Sequence, residues 1–135
     1  MTLYFCLDDR KGLSFNHRRQ SRDAALLEDL HQRAGNDLVA DPISLRLLEM
    51  AGLTCRLAPW NVEDLASGDH YFVEGRPAGD WISLADTLVL YHWNRHYPAD
   101  RYFEADLEAL GFRLLETGEF PGHSHDKITW EVYGK

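Results

Sequence analysis

Residues 112–133 read FRLLETGEFPGHSHDKITWEVY. Two strand-like runs, Phe112 to Phe120 and Ile128 to Tyr133, flank a polar segment that opens on Pro121-Gly122. Trp130 and Val132 alternate with polar neighbours, the period-2 pattern of an antiparallel strand with one buried face. The spacing predicts a C-terminal antiparallel pair. Just upstream, Leu88, Val89 and Leu90 begin a strand that runs through about Trp93, and Tyr97 to Phe103 reads as a loop.

Toward the N-terminus the pattern changes. Leu3 to Leu7 is a continuous apolar run ending at Asp8-Asp9, which suits a strand buried on both faces of a parallel sheet. Arg10 to Arg22 is too rich in Gly, Asn and Arg to be core. Ser21 can cap a helix. In that helix Asp23, Leu26, Leu27 and Leu30 share one face, and Gly35-Asn36 ends it. Leu38 to Ala40 is a short strand. Asp41 and Pro42 then open a second helix, with Ile43, Leu47, Leu48 and Ala51 as its buried face and Gly52 as its stop. Leu53, Cys55 and Leu57 alternate as a strand. Asn61 to Ala66 reads as a short helix, Tyr71 to Val73 as a buried strand, and Trp81 to Ala85 as a helical turn. Strands and helices alternate until about Leu90, and the antiparallel pair follows. The expected class is α/β, with a mostly parallel central sheet and antiparallel C-terminal strands. On such a sheet ligands sit at the carboxyl ends of the parallel strands. Here those ends are Asp8-Asp9, Ala40-Asp41, Trp60, Glu74-Gly75 and Tyr91.

The 135 residues fit one domain, residues 1–135, and the 44% hydrophobic content excludes a disordered tail. No apolar run approaches the roughly 18 residues of a membrane helix. The start carries no basic segment and meets Asp8 and Asp9 early, so a signal peptide is not expected and the protein reads as cytoplasmic. Cys6 and Cys55 each sit in an apolar run and read as buried free thiols. A net charge of −8 argues against nucleic acid as a partner.

Several residues could carry chemistry. Asp23 faces the core side of its helix, and a carboxylate there is costly unless paired or used. Partial burial would raise its pKa, as a proton-handling acid needs. The opposing account is that Asp23 serves the helix dipole and pairs with Arg19, four residues earlier. Asn16, Arg18, Arg19 and Arg22 form a basic polar loop with His17. Arginine forks suit phosphate or carboxylate, so the loop either binds an anionic ligand or pairs with Asp8, Asp9 or Asp23. Glu74 ends a buried strand at the expected cleft and can accept from a ligand amine or pair with an arginine. Tyr91, Asn94 and Arg95 leave the next strand end; Asn94-Arg95 also reads as a plain turn. His123 and His125 lack the further ligands a zinc site needs, so no metal is expected.

This order of elements resembles dihydrofolate reductase over nearly the whole chain. The resemblance rests on Leu88 to His92, Asp100, Phe103, the 112–133 pair with Ser124-His125 in its loop, the Gly-containing loop with Asn16 before Asp23, and Tyr71-Phe72-Val73-Glu74-Gly75. It implies a proton-handling role for Asp23 and an inward-pointing Tyr91. It also implies an NADPH site at a Gly-Arg-x-Thr turn and a Gly-Gly pair. Here these read Asp41-Pro42-Ile43-Ser44 and Glu74-Gly75, which place carboxylates where phosphate and backbone should meet. The expected cofactor is therefore none. A weaker resemblance links Phe15 to Asp23 with short bacterial chains labelled ribonuclease Z. The function expected is binding of a small polar or phosphate-bearing ligand by Asp23, Glu74 and the Arg18–Arg22 loop, with NADPH-dependent reduction lost. The alternatives are a non-catalytic interaction protein, a divergent reductase of a pterin-like substrate, and a phosphodiester hydrolase.

Overall fold

A computed structural model describes all 135 residues. The strands, in chain order, are β1 (Thr2–Leu7), β2 (Gly12–Phe15), β3 (Arg18–Arg19), β4 (Leu38–Ala40), β5 (Arg56–Leu57), β6 (His70–Phe72), β7 (Thr87–His92), β8 (Arg101–Tyr102), β9 (Arg113–Phe120) and β10 (Ile128–Gly134). The helices are α1 (Ala24–Ala34) and α2 (Pro42–Met50). Seven strands form one sheet in the order β5-β4-β6-β1-β7-β10-β9. All neighbours are parallel as far as β7; β10 runs antiparallel to both β7 and β9. The mostly parallel sheet with an antiparallel C-terminal pair is thus as expected.

The sheet separates two core layers. Leu3, Phe5 and Leu7 of β1 face one layer with Tyr71, Val73, Leu88 and Leu90, while Tyr4 faces the other with Phe72, Val89 and Tyr91. Both helices contribute to this second layer, through Leu26, Leu27, Leu30, Ala34 and Leu48. The first layer is covered by irregular chain carrying Val62, Leu65, Ile82, Phe103 and Phe112. No helix is long and apolar enough to cross a membrane.

Of the two helix starts, α2 opens on Asp41 and Pro42 as expected, and α1 differs. Asp23, not Ser21, caps α1: its carboxylate accepts from the N–H groups of Ala25 at 2.8 Å and Leu26 at 3.4 Å. Gly35 ends the helix at φ 56°, a conformation without steric cost only for glycine. Within α1, Arg33 Nε donates to Asp29 at 2.7 Å across one turn, with the acid on the N-terminal side that the helix dipole favours. In α2 the buried positions are Ser44 and Leu48, whereas Ile43 and Ala51 are exposed. The Leu53–Leu57 strand shrinks to Arg56–Leu57, both exposed at the sheet edge. Asn61–Ala66 and Trp81–Ala85 become 3-10 turns at Val62–Asp64 and Asp80–Leu84. Cys6 and Cys55 are free but only part-buried.

The polar stretch 10–22 supplies β2 and β3 of a second sheet, β3-β2-β8, whose third strand comes from the segment read as the Tyr97–Phe103 loop; the loop readings missed it. Ser14, inside it, is buried. Asn16 and His17 both take positive φ, 51° and 61°, and so close a two-residue hairpin of the type whose twist matches its strands. Asp8 fixes this sheet to β1. Its carboxylate accepts from the N–H groups of Arg10, Gly12 and Tyr97 and from Gln20 Nε2. Burial pushes the Asp8 carboxyl up, but these donors outweigh it and hold it below the usual range.

In the C-terminal pair, Gly118 lies opposite Trp130. A Cβ there would stand 2.7 Å from Trp130 Cε2. Trp130 in turn carries the Arg33 guanidinium 4.5 Å from its ring centre. Replacing Gly118 with Ala is expected to push Trp130 out from under Arg33 and cost about 1–3 kcal/mol, read as a lower urea midpoint at unchanged slope.

Candidate functional site

Asp23 is the most heavily bonded carboxylate in the protein. Besides capping α1 it accepts from the N–H groups of His123 at 3.0 Å and Ser124 at 2.9 Å, and from Ser124 Oγ at 3.2 Å. His125 Nδ1 lies 2.9 Å away, and both side chains are buried, at 0% and 2% exposure. Since a carboxylate only accepts, Nδ1 carries a proton toward it, and Nε2 lies 2.7 Å from the Tyr97 hydroxyl oxygen. Trp93 stacks on the imidazole at 4.8 Å. Burial pushes the Asp23 carboxyl up, but the His123 N–H, the His125 ring, and the Ser124 and Ala25 N–H groups outweigh it. They hold the group far below the usual carboxylate range. The expected rise is thereby reversed, because six donors replace the water that burial removes.

Ser21 Oγ lies 3.2 Å from His125 Nε2, so Ser21, His125 and Asp23 align in the order used by hydrolytic triads. Tyr97 stands closer on the same nitrogen. The crevice beside Ser21 has about 10 Å³ of free space, room for a water at most. The alignment works as a structural clamp.

Glu74 follows β6 and meets the arginine hairpin. Arg19 Nε reaches both Glu74 oxygens, at 3.2 and 3.1 Å, and Arg19 Nη2 donates to Oε1 at 3.0 Å. The buried Ser44 hydroxyl donates to Oε1 at 2.6 Å. A second ionic group stands beside it. The Tyr71 hydroxyl donates to Asp41, Arg76 Nε donates to the Tyr71 oxygen at 3.1 Å, and Arg76 Nη2 lies 3.7 Å from Asp41. Burial and the Asp41 hydrogen bond push the Tyr71 hydroxyl well above its usual range.

Glu74, Asp41 and Arg76 border an open cleft of about 920 Å³ at the carboxyl ends of β4 and β6. The start of α2, the Leu57–Glu63 segment, and the Glu74–Pro77 segment with Trp81 line it. Asp41, Glu63 and Glu74 bring three carboxylates to it, against Arg76 and His17. Trp60 stands in it 91% exposed.

No family model matches the chain, and no curated protein matches it. Among solved structures it is similar to dihydrofolate reductase from Enterococcus faecalis in complex with NADP(H) and RAB-propyl. The two are 14% identical with a TM-score of 0.72, over 98% of this chain and 94% of that chain. The fold is dihydrofolate-reductase-like. Nothing in these comparisons supports the likeness of Phe15–Asp23 to chains labelled ribonuclease Z.

Within this dihydrofolate-reductase-like fold, the residues singled out in the sequence do not converge on one place. Glu74 and Arg19 meet at the cleft, with His17 on its wall. Asp23 lies apart, sealed beneath the 123–125 segment, and it pairs with His125 rather than Arg19. Tyr91 is fully buried and points to α1, donating to Asp29 at 2.6 Å, not toward Asp23. Asn94 takes φ 57° and donates to Lys127 O and Thr129 Oγ1, the behaviour of a turn residue. Asn16 offers its N–H to Asp100, and the carbonyl of Arg95 accepts from Asp9. Arg18 and Arg22 are exposed, and neither guanidinium has a hydrogen-bond partner, although the Arg22 carbonyl accepts from Ser124 Oγ at 3.0 Å. No three His, Cys, Asp or Glu side chains gather as a metal site. Sequence reasoning missed Ser44, Arg76 and Tyr97; Ser44 and Tyr97 meet partners 30 and 28 residues away, whereas Arg76 bonds Tyr71 only five residues before it.

Asp23→Asn is expected to destabilise the protein by about 3 kcal/mol near neutral pH, since it leaves buried donors facing an amide. The folded pKa is depressed, so the contribution is complete above the ordinary value of 3.8 and fades as pH falls below it. Urea midpoints measured across the acid range should therefore converge for wild type and variant.

Proposed function

We propose that this protein binds a small, flat, polar molecule in the cleft between the start of α2, the Leu57–Glu63 segment and the Glu74–Pro77 segment, and that it does so without NADPH. The observation that carries this reading is the cleft itself: about 920 Å³ at the strand ends, rimmed by Trp60 and Trp81 and lined by three carboxylates. That volume is of the size small-molecule sites use, roughly 300–1,000 Å³. The indole faces suit a flat ring, and the carboxylates suit donors on it. Asp23 takes no part in this reading, because its oxygens are consumed by the protein.

The residues fit NADP(H) poorly. A dinucleotide phosphate needs free N–H groups at a helix start and a nearby cation. At α2 the first residue is Pro42, which has no N–H, and the capping residue is Asp41. The cations are committed: Arg19 to Glu74, and Arg76 to Tyr71 and Asp41. Gly75 could admit a close approach, but its carbonyl already accepts from Arg101 Nη1 at 2.7 Å. The same charges disfavour any phosphate-bearing ligand, and with it phosphodiester hydrolysis. A second reading, docking of another protein, draws support from Trp60, Leu57 and Ile43, all exposed on one cleft.

Two like charges in place of phosphate donors cost about 1–3 kcal/mol each, or roughly a hundredfold in affinity together. Titration followed by NADPH fluorescence is expected to show no saturable binding below about 10 µM at that penalty. A thermal-shift series of one- and two-ring nitrogen heterocycles should raise Tm for wild type and far less for Trp60→Ala. Tight NADPH binding would sink the reading, and heterocycles that shift both proteins equally would move the site away from this cleft.

A further inference from the structure

We propose that the Arg19 guanidinium is an internal stand-in for the ligand, and that the cleft is built for an amidinium-type cation that displaces Arg19 from Glu74. The proposal rests on the reading of the cleft as a ligand site and names the chemistry of the group it selects.

Receptor and occupant are built differently. Glu74 sits at the end of a central strand, where Val73 N–H donates to Tyr4 O at 2.9 Å. Its side chain is 11% exposed, and one oxygen is held by Ser44, whose residue is fully buried in the first turn of α2. A carboxylate so oriented, with its rotamer fixed from below, is preorganised for a planar fork of donors. Arg19 supplies such a fork, yet it comes from a two-residue strand behind the Asn16-His17 turn. Its side chain is more exposed than that of its partner, at 28%. The backbone of this hairpin is anchored through Gln20 on Asp8 and Pro98 O, so the guanidinium can leave without unfolding the small sheet.

Exchange chemistry fixes the ligand class. Removing Arg19 alone would leave a largely buried carboxylate with one neutral donor, which is unfavourable. A neutral amide gives one hydrogen bond and no charge. An amidinium, a guanidinium or a protonated 2-amino heterocycle restores both parallel N–H···O bonds and the charge, while the released Arg19 head returns to water. Glu63, which pairs with no cation, adds negative potential along the approach, which raises the local concentration of a cation. The flat body attached to that cation then has Ile43, Trp60 and Trp81 to lie against in the same cleft.

Benzamidine and its neutral isostere benzamide are the probes, titrated by calorimetry into wild type, Arg19→Ala and Glu74→Gln. Benzamidine should bind wild type at least tenfold more tightly than benzamide. Arg19→Ala, which removes the competitor, should tighten benzamidine a further tenfold and leave benzamide unchanged, and Glu74→Gln should erase the preference. Should Glu74→Gln fail to fold, Arg19→Lys serves instead: it keeps the charge, loses the fork, and is expected to fall between wild type and Arg19→Ala. Equal binding of the two probes, or no tightening in Arg19→Ala, overturns the proposal while the cleft reading stands. If neither probe nor any heterocycle binds, both fall together.

Discussion

A single buried carboxylate ties the two ends of the chain together. Asp23 completes the start of α1 and at the same time receives the backbone of the 123–125 segment. Neither task is optional. The first turn of a helix presents N–H groups with no internal partner, and the 123–125 segment presents its own toward the interior. One charged group, fully desolvated and fully bonded, answers both. Trp93, Tyr97 and His125 then pack around it because the carboxylate has fixed the imidazole's Nδ1 proton and ring plane. With α1 pinned at this point, Leu26, Leu27 and Leu30 meet Tyr4, Val89 and Tyr91 across the sheet.

The second carboxylate, Glu74, is the opposite case. It lies where the sheet opens, and its partners come from a helix start and from the small hairpin sheet. Asp23 has donors from elements that cannot move independently of it; Glu74 has one such donor, Ser44, and one on a long, rotatable side chain. Of the two carboxylates singled out in the sequence, Asp23 is used up in structure, and Glu74 is the one that borders the cleft.

Much of the architecture was legible. Leu3–Leu7, Leu38–Ala40, Tyr71–Val73 and Leu88–His92 are short apolar runs between polar stops, and burial on both faces leaves them no other pattern. The C-terminal pair was legible from alternation at Trp130 and Val132. The small sheet was not, because its hairpin turns on Asn16-His17 instead of a glycine, and its strands carry arginines that suggested a loop. Asp23 fell on the spacing of an apolar helix face, so it read as a core-facing acid. Its capping of α1 is local, but only the arrival of His123, Ser124 and His125, a hundred residues away, makes its proton easier to lose, not harder. The Arg19–Glu74 contact joins positions 55 apart, and local pattern carries no trace of it. For Arg18 and Arg22 the sequence offered Asp8, Asp9 or Asp23 as ion-pair partners, and the fold brings neither guanidinium to any of them.

The distance along the chain between Asp23 and its partners also bears on synthesis. His123 lies 100 residues after the carboxylate it satisfies, and β10 is the strand that covers β7. A nascent chain therefore carries an unfinished helix start over the hundred residues between Asp23 and His123, and an open β7 edge until β10 is made. The segment from His123 through β10 closes both. At elongation speeds of about 5–20 residues per second, that wait lasts on the order of seconds. During it the exposed flank of β7 is free to pair with a neighbouring copy. Chaperone dependence in the cell would thus be governed by residues 123–134 rather than by the core that precedes them.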